Sequence, residues 1–200
     1  MEKEHRERPK FTIERAVEAD VPSIASIGRK LKIDVVNPDP AIIGKGFLVY
    51  ALPPEGYSRR LNPHFTVAKE GDTLLGYLMC YDNVLLTQLI ADGSIGHEDG
   101  ITNFITSQEP TDRFVYGDQI GIDYENHRTG IGSGLMQQNF EHMREEGIRK
   151  MYVAILHQPL KNEASISFCT RLGATCVGEV QNRDGIMLGI YRFEIEGAKE

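Results

Sequence analysis

Residues 119–136, QIGIDYENHRTGIGSGLM, decide how this chain is read. The β-branched residues running up to Asp123 read as the end of a strand that begins at Phe114. Behind the cluster Gly130-Ile131-Gly132-Ser133-Gly134, the residues Leu135, Met136, Phe140 and Met143 recur at helical spacing until Gly147 stops the run. The local order is therefore strand, glycine turn, helix. Glycines at such a junction let backbone approach a ligand with no Cβ in the way, and the free N–H groups of a first helical turn favour phosphate oxygens. On these residues alone, a turn that merely tightens the connection is the alternative.

Working outward, Phe11–Arg15 alternates apolar and polar residues as a half-buried strand does. Asp20 is placed to cap a helix carrying Val21, Ile24 and Leu31, with Pro22 in its first turn. Prolines at 38, 40, 53, 54 and 63 fragment the next stretch, where one helix is expected over residues 40–51. Strands at 65–69 and 74–81 flank Gly71 as a hairpin. Residues 83–112 carry helical pieces at 84–91 and 101–106 around ADGSIGHEDG, a length that suits an insertion serving as a lid or partner surface. After the helix that starts at Ile131 come a strand at 151–156, a helix at 162–172 and a closing pair of strands at 175–180 and 186–195 around Arg183-Asp184-Gly185. A strand-helix-strand unit demands a parallel pair joined by a crossover, whereas hairpins demand antiparallel neighbours. The fold class is α+β: a mixed, mostly antiparallel sheet flanked by helices, in one domain over residues 11–200 behind a frayed tail at 1–10.

Composition narrows the function. With 200 residues, 40% of them apolar and 26% charged, the chain has globular composition. No apolar run approaches the roughly 20 residues of a membrane span. A net charge of −7 without a Lys/Arg-rich run argues against a nucleic-acid surface. Cys80, Cys169 and Cys176 are too few and scattered for a disulfide framework, and MEKEHRERPK has no apolar leader run, so a cytoplasmic location is expected.

Spelling excludes two nucleotide motifs. No Gly-Lys-Ser/Thr tripeptide follows a glycine at P-loop spacing, and Leu135 stands where a dinucleotide fingerprint needs its third glycine. The sequence instead resembles the GNAT superfamily of acetyl-CoA-dependent N-acetyltransferases. The family's pyrophosphate loop is Gln or Arg, two residues, Gly, one residue, Gly or Ala; here stand His127, Arg128, Thr129, Gly130, Ile131 and Gly132. Downstream, Asn162, Ser165, Ile166, Leu172 and Gly173 resemble the family's Asn-x-x-small-Ile signature ending in Leu-Gly. The departure is His127, where the family usually has Gln or Arg; Arg128 is available to supply the cation instead.

The resemblance implies a fold whose fourth and fifth strands run parallel and splay at a bulge in the fourth. It implies acetyl-CoA as co-substrate, no metal, and direct attack by a primary amine of a small molecule or peptide in a ternary complex, with no nucleic-acid or membrane partner. Dimers are common in the family, so a homodimer fits. The cofactor residues it carries over are Ile120, Gly121 and Ile122 of the strand, residues 127–134 of the loop (through Ser133 and Gly134), and Asn162 with Ser165. Asp118, with Tyr116 two residues earlier, is the expected base, and its alternative is a hydrogen-bond partner at the strand end. Seven residues after Asn162, where many members place a tyrosine acid, stands Cys169, either acid or core filler. Tyr124 and Tyr152 are the fallback hydroxyls, Asn162 can equally cap its helix, Asp123 can cap the loop, and His157 either faces the acceptor or is structural. The rival function is an acyl-CoA-binding sensor that does no chemistry.

Overall fold

The computed structural model describes residues 11–95, 99–108, 113–127, 129–182 and 185–196. The chain opens with β1 (Thr12–Arg15) and α1 (Val21–Leu31), whose Ile24, Ile27 and Leu31 are buried. Asp20 stands at the start of α1 without capping it. Its carboxylate accepts from the Val17 N–H at 3.0 Å and pairs with Lys69 at 2.7 Å. The single helix expected over residues 40–51 is corrected to two short ones, α2 (Pro40–Ile43) and α3 (Pro54–Ser58). Between them the chain runs extended, because Leu48 exchanges backbone hydrogen bonds with Leu31 and Ile33.

The hairpin of β2 (Phe65–Glu70) and β3 (Thr73–Asp82) turns at Gly71, whose φ of 57° is left-handed. Then follow α4 (Asn83–Ala91), α5 (Asp99–Gln108), β4 (Phe114–Ile122), α6 (Ile131–Glu145), β5 (Lys150–Gln158), α7 (Glu163–Arg171), β6 (Thr175–Gln181) and β7 (Met187–Glu194). The sheet order is β1-β2-β3-β4-β5-β7-β6, with β4 and β5 parallel and the other neighbouring pairs antiparallel. This is the expected α+β architecture, and the crossover between the parallel strands is α6.

Side-chain alternation along the strands divides the core. Tyr77, Met79 and Tyr81 of β3 face α1, α3, α4 and α5, while Leu78 and Cys80 face α6 and α7. The stripe of α6 foreseen from its spacing, Leu135, Met136, Phe140 and Met143, is buried on that second face. Residues 83–108 do not stand off as a lid: Leu86 and Ile105 are fully buried in the first cluster. No helix among the described residues is long and apolar enough to cross a membrane.

Truncating Leu86 or Ile105 to Ala should therefore cost about 2–5 kcal/mol in urea unfolding. Val84→Ala, at a position 58% exposed, should change stability by less than about 0.5 kcal/mol. Losses under about 1 kcal/mol at both buried positions would remove this segment from the core.

Candidate active site

β4 and β5 pair over only four positions, Phe114–Gly117 against Lys150–Val153, although both strands continue. The cause lies on the other edge of β4. Met79 of β3 pairs with Gln119 and Cys80 with Gly117, so Asp118 is the extra residue of a β-bulge. The bulge shifts the alternation: Tyr116, Asp118, Gln119 and Gly121 are turned toward the α1 side, and Ile120 and Ile122 toward α6. Past it the strands part and open a cleft of about 660 Å³, floored by residues 116–120 and 153–156 and bounded by the first turn of α6, by α7 and by residues 44–50.

The exposed edge of β4 supplies backbone groups. Asp123 N–H donates to Leu75 of β3 at 3.0 Å, so by the alternation of an antiparallel ladder the N–H and C=O of Ile120 and Ile122 point the other way, into the cleft. Both line it, whereas Gly121 does not. A Cβ on Gly121 would sit 2.5 Å from the Tyr77 ring, so packing accounts for that glycine.

At the end of this edge α6 begins on Gly130, held at φ 91°, and no side chain caps the helix. The N–H groups of its first turn are left without intrahelical partners, with the positive end of the helix dipole behind them. Gly130, Ile131, Gly132 and Ser133 line the cleft. A Cβ on Gly132 would lie 3.3 Å from the Phe168 ring and 3.6 Å from Ile120 Cδ1, within the cradle itself. Gly134 serves packing instead, because a Cβ there would meet Ile13 and Phe11 at 3.0 and 3.2 Å. Thr129 closes the turn through its hydroxyl, which donates to the Asn126 carbonyl at 2.6 Å. His127 lines the cleft, but its Nε2–H donates back to the Ile122 carbonyl at 3.0 Å. Arg128 lies outside the described residues. Asp123 forms no loop cap and pairs with Lys30 at 2.6 Å. Lys45, a cation that no motif singles out, lines the cleft with its Nζ 5.3 Å from the centre of the Tyr124 ring.

The bulge carries the polar floor. Asp118 accepts from Tyr50 through Oδ1 and from Tyr81 through Oδ2, the latter at 2.5 Å. Gln119 Oε1 accepts from Tyr77 at 2.9 Å and Tyr57 at 3.1 Å, and its amide nitrogen donates to the Tyr50 carbonyl at 3.3 Å. Burial, reinforced by the Asp118 charge, pushes the hydroxyls of Tyr77 and Tyr81 well above the usual tyrosine range. Both stay protonated donors across physiological pH. Tyr116 is buried in the α1-side cluster and touches the cleft.

On α7, Asn162 caps the helix by accepting from Ser165 N–H at 3.2 Å while its amide nitrogen donates to the Phe47 carbonyl at 3.0 Å. Asn162 and Ser165 both line the cleft. Cys169 lines it as well, yet it belongs to the apolar cluster around α6, and burial pushes its thiol up to about 12. Tyr124 lines the opposite wall, and its hydroxyl is buried without a hydrogen-bond partner among the described residues. Tyr152 is fully buried in the α1-side cluster, away from the cleft lining. His157 is structural: it bonds Glu179 at 2.6 Å and Tyr191 at 3.0 Å, and its ring covers Gly189.

The sequence model of the acetyltransferase (GNAT) family matches residues 45–174. No curated protein matches the sequence. Among solved structures, the ribosomal-protein-S18-alanine N-acetyltransferase of Escherichia coli superposes with a TM-score of 0.61 at 12% identity, over 96% of this chain and 97% of that one. A putative acetyltransferase of Salmonella typhimurium, yncA, solved with its cofactor acetyl-CoA, gives a TM-score of 0.61 at 15% identity, over 96% and 97%. Naa50 of Arabidopsis thaliana, in complex with the bisubstrate analogue CoA-Ac-MVNAL, gives 0.60 at 12% identity, over 92% and 97%. At these identities the likeness is one of fold.

Proposed function

The chain belongs to the acetyltransferase (GNAT) family, and on that premise we propose that it is an N-acetyltransferase, moving an acetyl group from acetyl-CoA to a primary amine by direct attack in a ternary complex. The observation that carries this reading is the gap between β4 and β5, which runs from a carboxylate at the bulge to the uncapped first turn of α6. Backbone groups of Ile120 and the N–H of Ile122 on the unpaired edge, and room at Gly130 and Gly132, suit a long, phosphate-bearing carrier.

In this reading the N–H groups of Ile131, Gly132 and Ser133 take the diphosphate, and Lys45 adds positive charge. Ile120 and Ile122 hold the pantetheine arm through their backbone groups, alongside Ser165 and the remaining lone pair of Asn162 Oδ1. The co-substrate supplies an acyl group already activated as a thioester. Holding both reactants in one cleft removes on the order of 7 kcal/mol of barrier in well-oriented systems. Asp118 accepts the proton of the attacking amine, with Tyr50 and Tyr81 fixing its carboxylate. A backbone N–H on the open edge of β4 stabilises the developing oxyanion. For the leaving sulfur, Cys169 is poorly suited as acid: burial inside an apolar cluster holds its thiol near 12, so it gives up a proton reluctantly, and the sulfur departs as the thiolate of coenzyme A. The acceptor in this reading is a primary amine of a small molecule or peptide; one neighbour is named for a ribosomal-protein alanine and another is bound to a peptide-bearing bisubstrate analogue.

Purified protein given acetyl-CoA and a panel of amines and short peptides should release thiol in proportion to acetylated product. Binding of coenzyme A with no turnover on any acceptor would favour the sensor instead. Gly132→Val should weaken coenzyme A binding in calorimetry by about tenfold or more, roughly 1.4 kcal/mol; unchanged affinity in the folded variant would end the cradle.

Asp118→Asn should lower kcat/KM by about 10²–10⁴ and remove the acidic limb of the pH-rate profile. A profile that keeps this limb would disqualify Asp118 as base.

Cys169→Ala should retain kcat within a few-fold. A loss of about tenfold or more in the folded variant would return the acid role to Cys169.

A further inference from the structure

Away from the cleft, near the far end of α6, two imidazoles and a carboxylate converge: His64 from the turn before β2, His142 on α6 and Glu146 just past its last residue. One ligand atom from each lies within 4.8 Å of the other two. Glu146 reaches both rings, Oε1 standing 3.2 Å from His142 Nε2 and Oε2 3.6 Å from His64 Nε2. Neither contact is a hydrogen bond. His142 Nε2 is buried without a hydrogen-bond partner among the described residues, and 3.6 Å is too long for one.

The other ring nitrogens face outward acceptors. His64 Nδ1 lies 3.1 Å from Asn139 Oδ1, and the amide nitrogen of Asn139 is turned to the sulfurs of Cys80 and Met151. The oxygen therefore meets the ring, and Nδ1 carries the hydrogen. With Nδ1 as its donor, His64 turns an Nε2 lone pair toward the carboxylate. His142 Nε2 is a buried ring atom without a hydrogen-bond partner beside Glu146 Oε1, and His142 Nδ1, 3.8 Å from Glu145 Oε2, makes no hydrogen bond there that would hold the proton. A cation between the three groups satisfies them together.

We infer that His64, His142 and Glu146 form a divalent-cation site whose two nitrogens and one oxygen suit Zn²⁺, with a water in the fourth position. A tetrahedral Zn²⁺ with ligands near 2.05 Å sets its donors about 3.3 Å apart; Glu146 Oε1 stands 3.2 Å from His142 Nε2, and the ligand atoms of all three residues lie within 4.8 Å of one another. The surroundings are those of a built site. Asn139, 1% exposed, orients His64, and Arg113 holds Glu146 by donating to Oε2 at 3.2 Å and to its carbonyl at 3.1 Å, which leaves Oε1 for the ion. The site lies about 15 Å along α6 from Gly132, at 1.5 Å per residue, so its role is to tie the turn at residue 64, the end of α6 and the start of β4 together. It is independent of the acyl-transfer reading.

The test uses the full chain without an affinity tag, stripped with EDTA and desalted. Calorimetry with ZnCl2 should find one equivalent bound, Co²⁺ should give the visible absorption of a tetrahedral site, and Zn²⁺ should raise Tm. Half-exposed His142 can change without emptying the core, so His142→Ala and Glu146→Ala should fold, weaken Zn²⁺ at least tenfold and lose the Tm response. His64→Ala should do the same if it folds. No saturable binding, or binding of equal strength in the His142 and Glu146 variants, would overturn the assignment.

Discussion

A parallel strand pair that stops hydrogen-bonding partway along both strands leaves a row of backbone groups needing partners. In this protein the break follows Gly117, where Asp118 inserts as a bulge against β3. Buried N–H and C=O groups are almost always satisfied, so such an edge persists only where water or a ligand can reach it. The cleft provides that access. The bulge also brings two consecutive residues, Asp118 and Gln119, to the α1 side of the sheet, where strict alternation would allow one. The catalytic candidate and the residue that braces its surroundings are thereby adjacent in sequence and on the same face.

Gln119 is 3% exposed; its amide oxygen accepts from Tyr57 and Tyr77, and its amide nitrogen donates to the Tyr50 carbonyl. A buried amide with these partners fixes the segment around Tyr50 against β4, and that segment forms one wall of the cleft. The tyrosines do two jobs. Tyr57 and Tyr77 anchor the wall, while Tyr50 and Tyr81 orient the carboxylate. Removing a member leaves its partners with fewer hydrogen bonds in a low dielectric, where each bond counts for more than in water, so the network holds the wall as a unit.

Local grammar made much of this legible in advance. The strand, glycine turn and helix over residues 114–145, the hairpin at Gly71 and the closing strands follow from period and punctuation, and the structure agrees to within one or two residues at most ends. Residues 37–62 were not legible, because the extended run between α2 and α3 is set by Leu31, Ile33 and Gln119, remote partners that no local period reports. Glycines misled for a related reason. Gly121 and Gly134 look like ligand glycines beside the loop, yet Tyr77 and Phe11 are what occupy the missing side chains. Long-range pairing likewise hid the role of Asp123, which Lys30 claims, and of His64, which sits 78 positions from His142 and meets it only through the fold.

α6 gathers these demands on one element. A helix that binds anions at its N-terminus must leave that end uncapped, and forgoing a side-chain cap costs about 1 kcal/mol. Entry through a left-handed Gly130 adds the entropy of a residue free to be elsewhere. The loss is offset along the barrel of the helix, where Ile131, Leu135, Met136, Phe140 and Met143 are buried against the sheet, and at the C-terminal turn, where Arg144 meets the negative end of the dipole. On the proposed reading, the diphosphate would supply at the first turn the partners that a serine or aspartate supplies elsewhere, and co-substrate binding and the stability of α6 would then draw on a single interaction.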